Sequence, residues 1–147
     1  RGWIDGGDAL AEQYYNDAVR ASIRFWSDVN KTGNPVSEST VERFLANIPY
    51  DGTLESILDQ KYVALFWTGF EAWHEYRRTG YPALVIGEGT QNDHVLPTRM
   101  AYPTIAIKTN PDNYAAEVAR LQSVFRGADD MKTPVWWSAE AVRKGIE

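Results

Sequence analysis

Residues 60–82 read QKYVALFWTGFEAWHEYRRTGYP, and the architecture of the chain hangs on how they are read. Tyr62, Leu65, Gly69, Ala72, Trp73 and Tyr76 recur every three or four positions, the spacing that lines one face of an α-helix. Carried upstream through Leu58, Ile57 and Leu54 to Thr53, a capping residue, the stripe predicts one continuous helix over residues 53–78. At 1.5 Å per residue such a rod is roughly 39 Å long, with Trp73 buried on its apolar face. Glycine inside a helix costs about 1 kcal/mol against alanine, so Gly69 predicts close approach by a neighbouring element. Gly80 is placed to stop the helix, and Pro82 prevents its continuation.

Upstream, Ala11, Tyr14, Ala18, Ser22, Phe25 and Val29 predict a helix over residues 8 to about 30, ended by the Lys31-Thr32-Gly33-Asn34-Pro35 punctuation. Ser39 followed by Glu42 has the form of a capping box, and Val41, Phe44, Leu45 and Ile48 give the next short helix an apolar face. Pro49-Tyr50-Asp51-Gly52 is a turn. Downstream, no helical period holds over residues 83–109, which reads as loop with short strand pairing available to residues 83–86 and 104–107. Asn110-Pro111 is a helix start, cap followed by proline at the first position, and Tyr114, Val118, Leu121 and Phe125 carry the stripe to Gly127. The last twenty residues read as an ordered tail anchored by Trp136 and Trp137. No internal repeat or low-complexity segment interrupts this mostly α pattern.

Composition narrows the function. With 147 residues, 44% hydrophobic and 24% charged, the chain can build one globular domain. Net charge is −5, and the lone basic pair Arg77-Arg78 is no footprint for a polyanion, which argues against nucleic-acid binding. Cysteine is absent, so disulfides, thiolate catalysis and thiolate zinc sites fall away. No run of 18 apolar residues is present. Aromatic residues make up 13%, including six tryptophans, enough both to fill a core and to offer flat faces on which sugar rings stack.

Candidate chemistry is sparse. Glu71 and His74 have the Glu-x-x-His spacing of carboxylate-bridged metal sites, but such sites need a second copy of the motif, and the other histidine, His94, lies in a loop. Glu71 and Glu75 are better read as partners for Arg77, Arg78 or a neighbouring helix. The two arginines could clamp an anion; the favoured reading is that they complement the helix C-terminus. Gly87-Glu88-Gly89 lacks the lysine of a phosphate loop. No carboxylate pair is placed across a cleft by its spacing, and neither a catalytic residue, a metal nor a cofactor is assigned.

Five elements in order resemble the SusD/RagB family. Tyr14-Tyr15 with Ala21-Ser22 and Phe25-Trp26 resembles its YYxxxVxASxxFW helix; Trp73, Glu75, Arg77, Arg78, Gly80 and Pro82 lie in its double-arginine helix; Pro97 with Arg99, Tyr102 and Pro103 resembles its PxRxxYP element. Asn110 with Asn113-Tyr114 and Thr133 with Val135-Trp136-Trp137 resemble its NxxNY and TxVWW elements. The resemblance implies an irregular, mostly α fold, the C-terminal part of a tetratricopeptide-type architecture with long loops. It also implies a non-enzymatic, surface-exposed outer-membrane lipoprotein that captures an oligosaccharide, or a peptide, for a SusC-like TonB-dependent transporter. Family members run to several hundred residues behind a lipidated cysteine, so residues 1–147, opening on Arg1, are expected to be a single C-terminal segment of a SusD-like domain with the lipid anchor outside it. Inside a family motif, Trp136 and Trp137 are expected to anchor the core, and the motif residues are expected to be structural. Ligand contacts are then expected from variable loops outside the motifs, with Trp26, Tyr50 and the 88–94 loop, including Asn92 and His94, as the candidates. A glycan-processing all-α enzyme and a scaffolding subunit without ligand affinity are the alternatives.

Overall fold

The computed structural model describes residues 5–30, 33–143 and 145. Among these residues there are seven helices and no strand, in the order α1 (Gly7–Val29), α2 (Glu38–Asn47), α3 (Leu54–Ala64), α4 (Glu71–Thr79), α5 (Thr104–Thr109), α6 (Pro111–Phe125) and α7 (Ala139–Arg143). They fall into two compact units, residues 1–72 and residues 73–147. Lys31 and Thr32 of the predicted punctuation, and Lys144, Ile146 and Glu147 of the predicted tail, lie outside the described residues, as does Arg1.

The first unit is a three-helix arrangement. Tyr15 and Val19 on α1 meet Val41 and Leu45 on α2, with Ile23, Ile48 and Tyr50 at the margin. Each of these buried side chains contributes roughly 1.5–3 kcal/mol of hydrophobic free energy. Tyr15 keeps its polar end satisfied by donating its hydroxyl to the Ile48 carbonyl at 2.8 Å. Arg20 with Glu42 (2.7 Å) and Arg24 with Glu38 (3.2 Å) tie α1 to α2 outside this core. Both α2 and α3 start on side-chain caps: the Thr40 amide donates to Ser37, and the Ser56 amide donates to Thr53. Thr53 is the predicted cap; Ser37 displaces the predicted Ser39, which sits one residue inside the helix, too late for its hydroxyl to reach the orphan amides.

The single rod predicted over residues 53–78 is not formed. Helix α3 ends at Ala64, and the next helix begins only at Glu71. Between them the Phe66 amide donates to the Val63 carbonyl, while both the Thr68 amide and its hydroxyl (2.5 Å) donate to the Leu65 carbonyl, occupying an acceptor that a continuing helix would give to the Gly69 amide. Trp67 and Gly69 then adopt left-handed backbone, φ 62° and 67°. Gly69 is therefore needed for its φ, not for a close neighbour: no atom lies within 4 Å of where its Cβ would stand.

In the second unit, α6 carries the apolar centre through Leu121 and Phe125. Arg126 ends α6 in left-handed conformation, and the Gly127 amide returns to the Leu121 carbonyl at 3.1 Å, a Schellman closure. Asn110 stands before Pro111 as predicted, but its carbonyl side chain accepts from the Asn113 side-chain amide instead of capping the backbone. Residues 104–107, predicted to be available for strand pairing, form the first turns of α5. Pro103, with φ −66°, presets the helical entry, and its carbonyl accepts from the Ala106 amide at 2.8 Å. Residues 83–86 have no partner strand, and Val85 is 96% exposed.

Candidate functional site

The motif residues of the second unit converge on one scaffold. From α4, Trp73 donates its indole N–H to the Pro97 carbonyl at 2.7 Å, and Arg77 donates to the Thr98 carbonyl at 2.9 Å. The Arg77 guanidinium lies between two indoles, 3.6 Å from the centre of Trp73 and 4.6 Å from that of Trp137. Its Nε is buried with no acceptor among the described residues, and burial lowers its pKa from the ordinary arginine value. Arg77 stands in the last turn of α4, and its side chain also reaches across to the 97–98 loop, stacked as a planar cation. Arg78 does stay local and pairs with Glu75 one turn back. Gly80 stops the helix as predicted, at φ 81° with its amide on the Tyr76 carbonyl, and the Tyr81–Pro82 bond that follows is cis.

A second knot surrounds Asp129. Arg99 donates to its carboxylate at 2.9 Å, the Tyr102 amide at 2.9 Å and the Tyr114 hydroxyl at 3.1 Å. Arg99 also covers the Tyr102 ring at 5.1 Å. Burial alone would raise the Asp129 pKa, but these donors outweigh it and hold the carboxyl below its ordinary range. Asp130 is lowered by the same balance, burial against the amides of Thr133 and Lys132, the Thr133 hydroxyl and the charge of Arg99. Thr98 and Thr133, both buried, complete the knot: the Thr98 hydroxyl sits 2.8 Å from the Thr133 carbonyl, and the Thr133 hydroxyl accepts from the Ala128 amide at 2.9 Å. Thr133 entered the sequence reading only as the first residue of the TxVWW element, and Asp129, Asp130 and Thr98 were not singled out; the Gly127-Ala128-Asp129-Asp130 run was the signal that could have found them.

Two motif residues are placed otherwise than expected. Trp73 is half-buried and held by its hydrogen bond and by Arg77, with no fully buried residue anywhere on α4. Trp136, expected to anchor the core, is 69% exposed, while its neighbour Trp137 turns inward over Arg77. Adjacent residues in a turn point apart, and the burial in this segment goes to Thr133, Pro134 and Ser138.

The predicted ligand contacts divide between the units. In the first, Trp26 stacks edge-to-face on Phe25 and Phe66 at 5.3 and 5.9 Å, and Tyr50 leans on Tyr15 at 5.5 Å, a member of the core margin. Phe66 passes the series on to Trp67, which at 83% exposure was missed because it lay in the supposed helix. In the second, Asn92 accepts from the Val95 amide at 3.3 Å and so shapes its own turn, Asp93 pairs with Lys132, and His94 is exposed at φ 55°. A cleft beside Arg77, Ser138 and Arg143 holds only about 100 Å³, well short of the roughly 300 Å³ at which small-molecule sites begin. Glu71 and His74 are both on α4, and no group of three potential metal ligands occurs among the described residues.

Among the described residues the framework is all α, polar knots hold its loops, and several aromatic rings are left on the surface. Residues 1–103 match the SusD-like family described as starch-binding and associating with the outer membrane, and the chain belongs to that family. Among solved structures, a chitin-binding protein superposes on 95% of this chain with a TM-score of 0.76 and 29% sequence identity. The chain spans 30% of that protein's length. No curated protein matches the chain.

Proposed function

We propose that this chain is part of a non-enzymatic glycan-binding protein of the outer membrane, which captures an oligosaccharide at the cell surface and hands it to a SusC-like TonB-dependent transporter. The observation that carries this reading is the superposition of nearly the whole chain on a chitin-binding protein, in a family described as starch-binding. The described residues support binding over turnover, because the half-buried carboxylates Asp129 and Asp130 are consumed by structural donors. Recognition would come from ring faces and side-chain polar groups: Trp26, Tyr50 and the exposed Trp67 in the first unit, Asn92, His94 and the exposed Trp136 in the second. An apolar ring face suits the axial hydrogens of a pyranose, and neighbouring amides and imidazoles suit its hydroxyls. The membrane attachment would be a lipid anchor outside these residues.

Calorimetric titration of the encoded polypeptide with chito- and malto-oligosaccharides tests the reading. Saturable binding with no new reducing ends is expected, weakened at least tenfold by Trp136→Ala or His94→Ala if those side chains touch the sugar. Release of reducing ends would make the protein an enzyme. Transporter association without affinity for any glycan would make it a scaffold.

A further inference from the structure

Trp67 stands where the fold has no need of it. Its backbone is left-handed, φ 62°, a conformation that costs any residue with a Cβ and is an outlier for a bulky one. At 83% exposure the indole recovers little of that cost by burial. Strain of this kind persists only where the surrounding structure imposes it, and it gathers at ligand-holding sites. Here the chain is bent to impose it. The Thr68 amide (3.1 Å) and hydroxyl (2.5 Å) both close on the Leu65 carbonyl, which stops α3 from running on, and Gly69 follows at φ 67°. In a continuous helix the residue 67 side chain would lie back along the preceding turn, over Val63; the left-handed backbone frees it from that turn. Behind it, Phe66 meets Trp67 edge-to-face at 5.6 Å and Trp26 at 5.9 Å, and Trp26 meets Phe25 at 5.3 Å. Trp67 is thus the open end of a braced series of rings, its flat face turned to water.

We propose that the break between α3 and α4 is a presenting element, in which Trp67 is the principal sugar-stacking side chain of the first unit and Thr68 is the residue that positions it. The inference rests on the glycan-binding reading above. An indole face takes the axial hydrogens of a pyranose, and its N–H donates to a hydroxyl. Calorimetric titration of the encoded polypeptide with chito- and malto-oligosaccharides, run beside urea unfolding, tests it on Trp67→Asn, Thr68→Val and Thr68→Ser. Asparagine tolerates left-handed backbone, so Trp67→Asn should lose roughly tenfold or more in affinity while its unfolding midpoint is no lower than the parent's. Thr68→Val keeps the shape but not the hydroxyl and should weaken binding about threefold or more; Thr68→Ser keeps the hydroxyl and should restore affinity to within about twofold of the parent. A midpoint that falls together with affinity in Trp67→Asn would make the tryptophan a packing residue and overturn the proposal. Equal losses in the two Thr68 variants, or none in Thr68→Val, would overturn it as well. Intact glycan affinity with lost transporter association in Trp67→Asn would assign the ring to that partner and equally defeat it. A parent that binds neither sugar series defeats the glycan-binding reading and this inference together, whereas a parent that binds, with Trp67→Asn binding as tightly, defeats this inference alone.

Discussion

Gly127 shows how one position can depend on another six residues away. A Cβ there would fall 2.6 and 2.8 Å from the Cγ2 and Cβ of Thr133, and Thr133 cannot retreat, because it is buried and its hydroxyl is engaged by Ala128 and Asp130. Gly127→Ala should therefore cost about 2–3 kcal/mol through overpacking. Urea unfolding measures it, and a loss under about 0.5 kcal/mol would mean that Thr133 yields freely. Trp73 carries a different kind of contribution. Trp73→Phe keeps a ring against Arg77 but removes the bond to Pro97, for an expected loss of about 1 kcal/mol. Had Trp73 been a core residue as its helical phase implies, Trp73→Ala would cost about 3–5 kcal/mol; half-buried as it is, about 2 is expected, part of it cation–π. Phase reports which residues share a face, and it is silent on whether anything covers that face.

At the scale of the element, capping chemistry was readable and dihedral breaks were not. Thr53 starts α3 and Pro111 starts α6 because their signals are local, an oxygen within reach of a free amide and a ring that presets φ. The interruption at residues 65–70 left no such mark, since the apolar stripe keeps helical phase straight across it. There the deciding factors are the Thr68 hydroxyl on the Leu65 carbonyl and two residues in left-handed backbone. Gly69→Ala should accordingly cost about 1–2 kcal/mol for the backbone alone, although nothing crowds the site. A variant as stable as the parent, with more helical signal in circular dichroism, would show instead that α3 and α4 can fuse into the rod the stripe predicts. The tail at residues 127–138 was legible only as ordered: its knot joins Arg99, Tyr102 and Tyr114 to Asp129 from 15 to 30 residues away.

For the molecule as a whole, the lowered carboxyls, Asp51 in the first unit and Glu117, Asp129 and Asp130 in the second, make an acid sensitivity. A group whose folded pKa lies below its unfolded value stabilises the fold fully above the unfolded value, about 4 for aspartate, and that contribution is lost as pH falls through the lower folded value. Asp129 and Asp130 are both of this kind. Stability should thus fall steeply below about pH 4, and near-ultraviolet circular dichroism with pH should show it. Asp129→Asn should flatten that acid limb and cost about 3 kcal/mol at neutral pH, because it leaves Arg99, itself 11% exposed, without its counter-charge. An unchanged acid limb would remove Asp129 from the cause.

What residue order determined without help was the class: mostly α, free of cysteine, with five motifs whose order marks the family and whose caps and stops lie within a few residues of the elements they bound. Those features act over one or two helical turns, where spacing along the chain equals proximity in space. Tertiary structure alone decided that Arg77 would be held between Trp73 and Trp137, that Trp136 would face water while Trp137 would not, and that Asp129 would gather three donors. Apart from Trp73 and Arg77, which lie one helical turn apart, these side chains are brought together by folding across intervals of up to 60 residues, and no period along the chain encodes which of them meet.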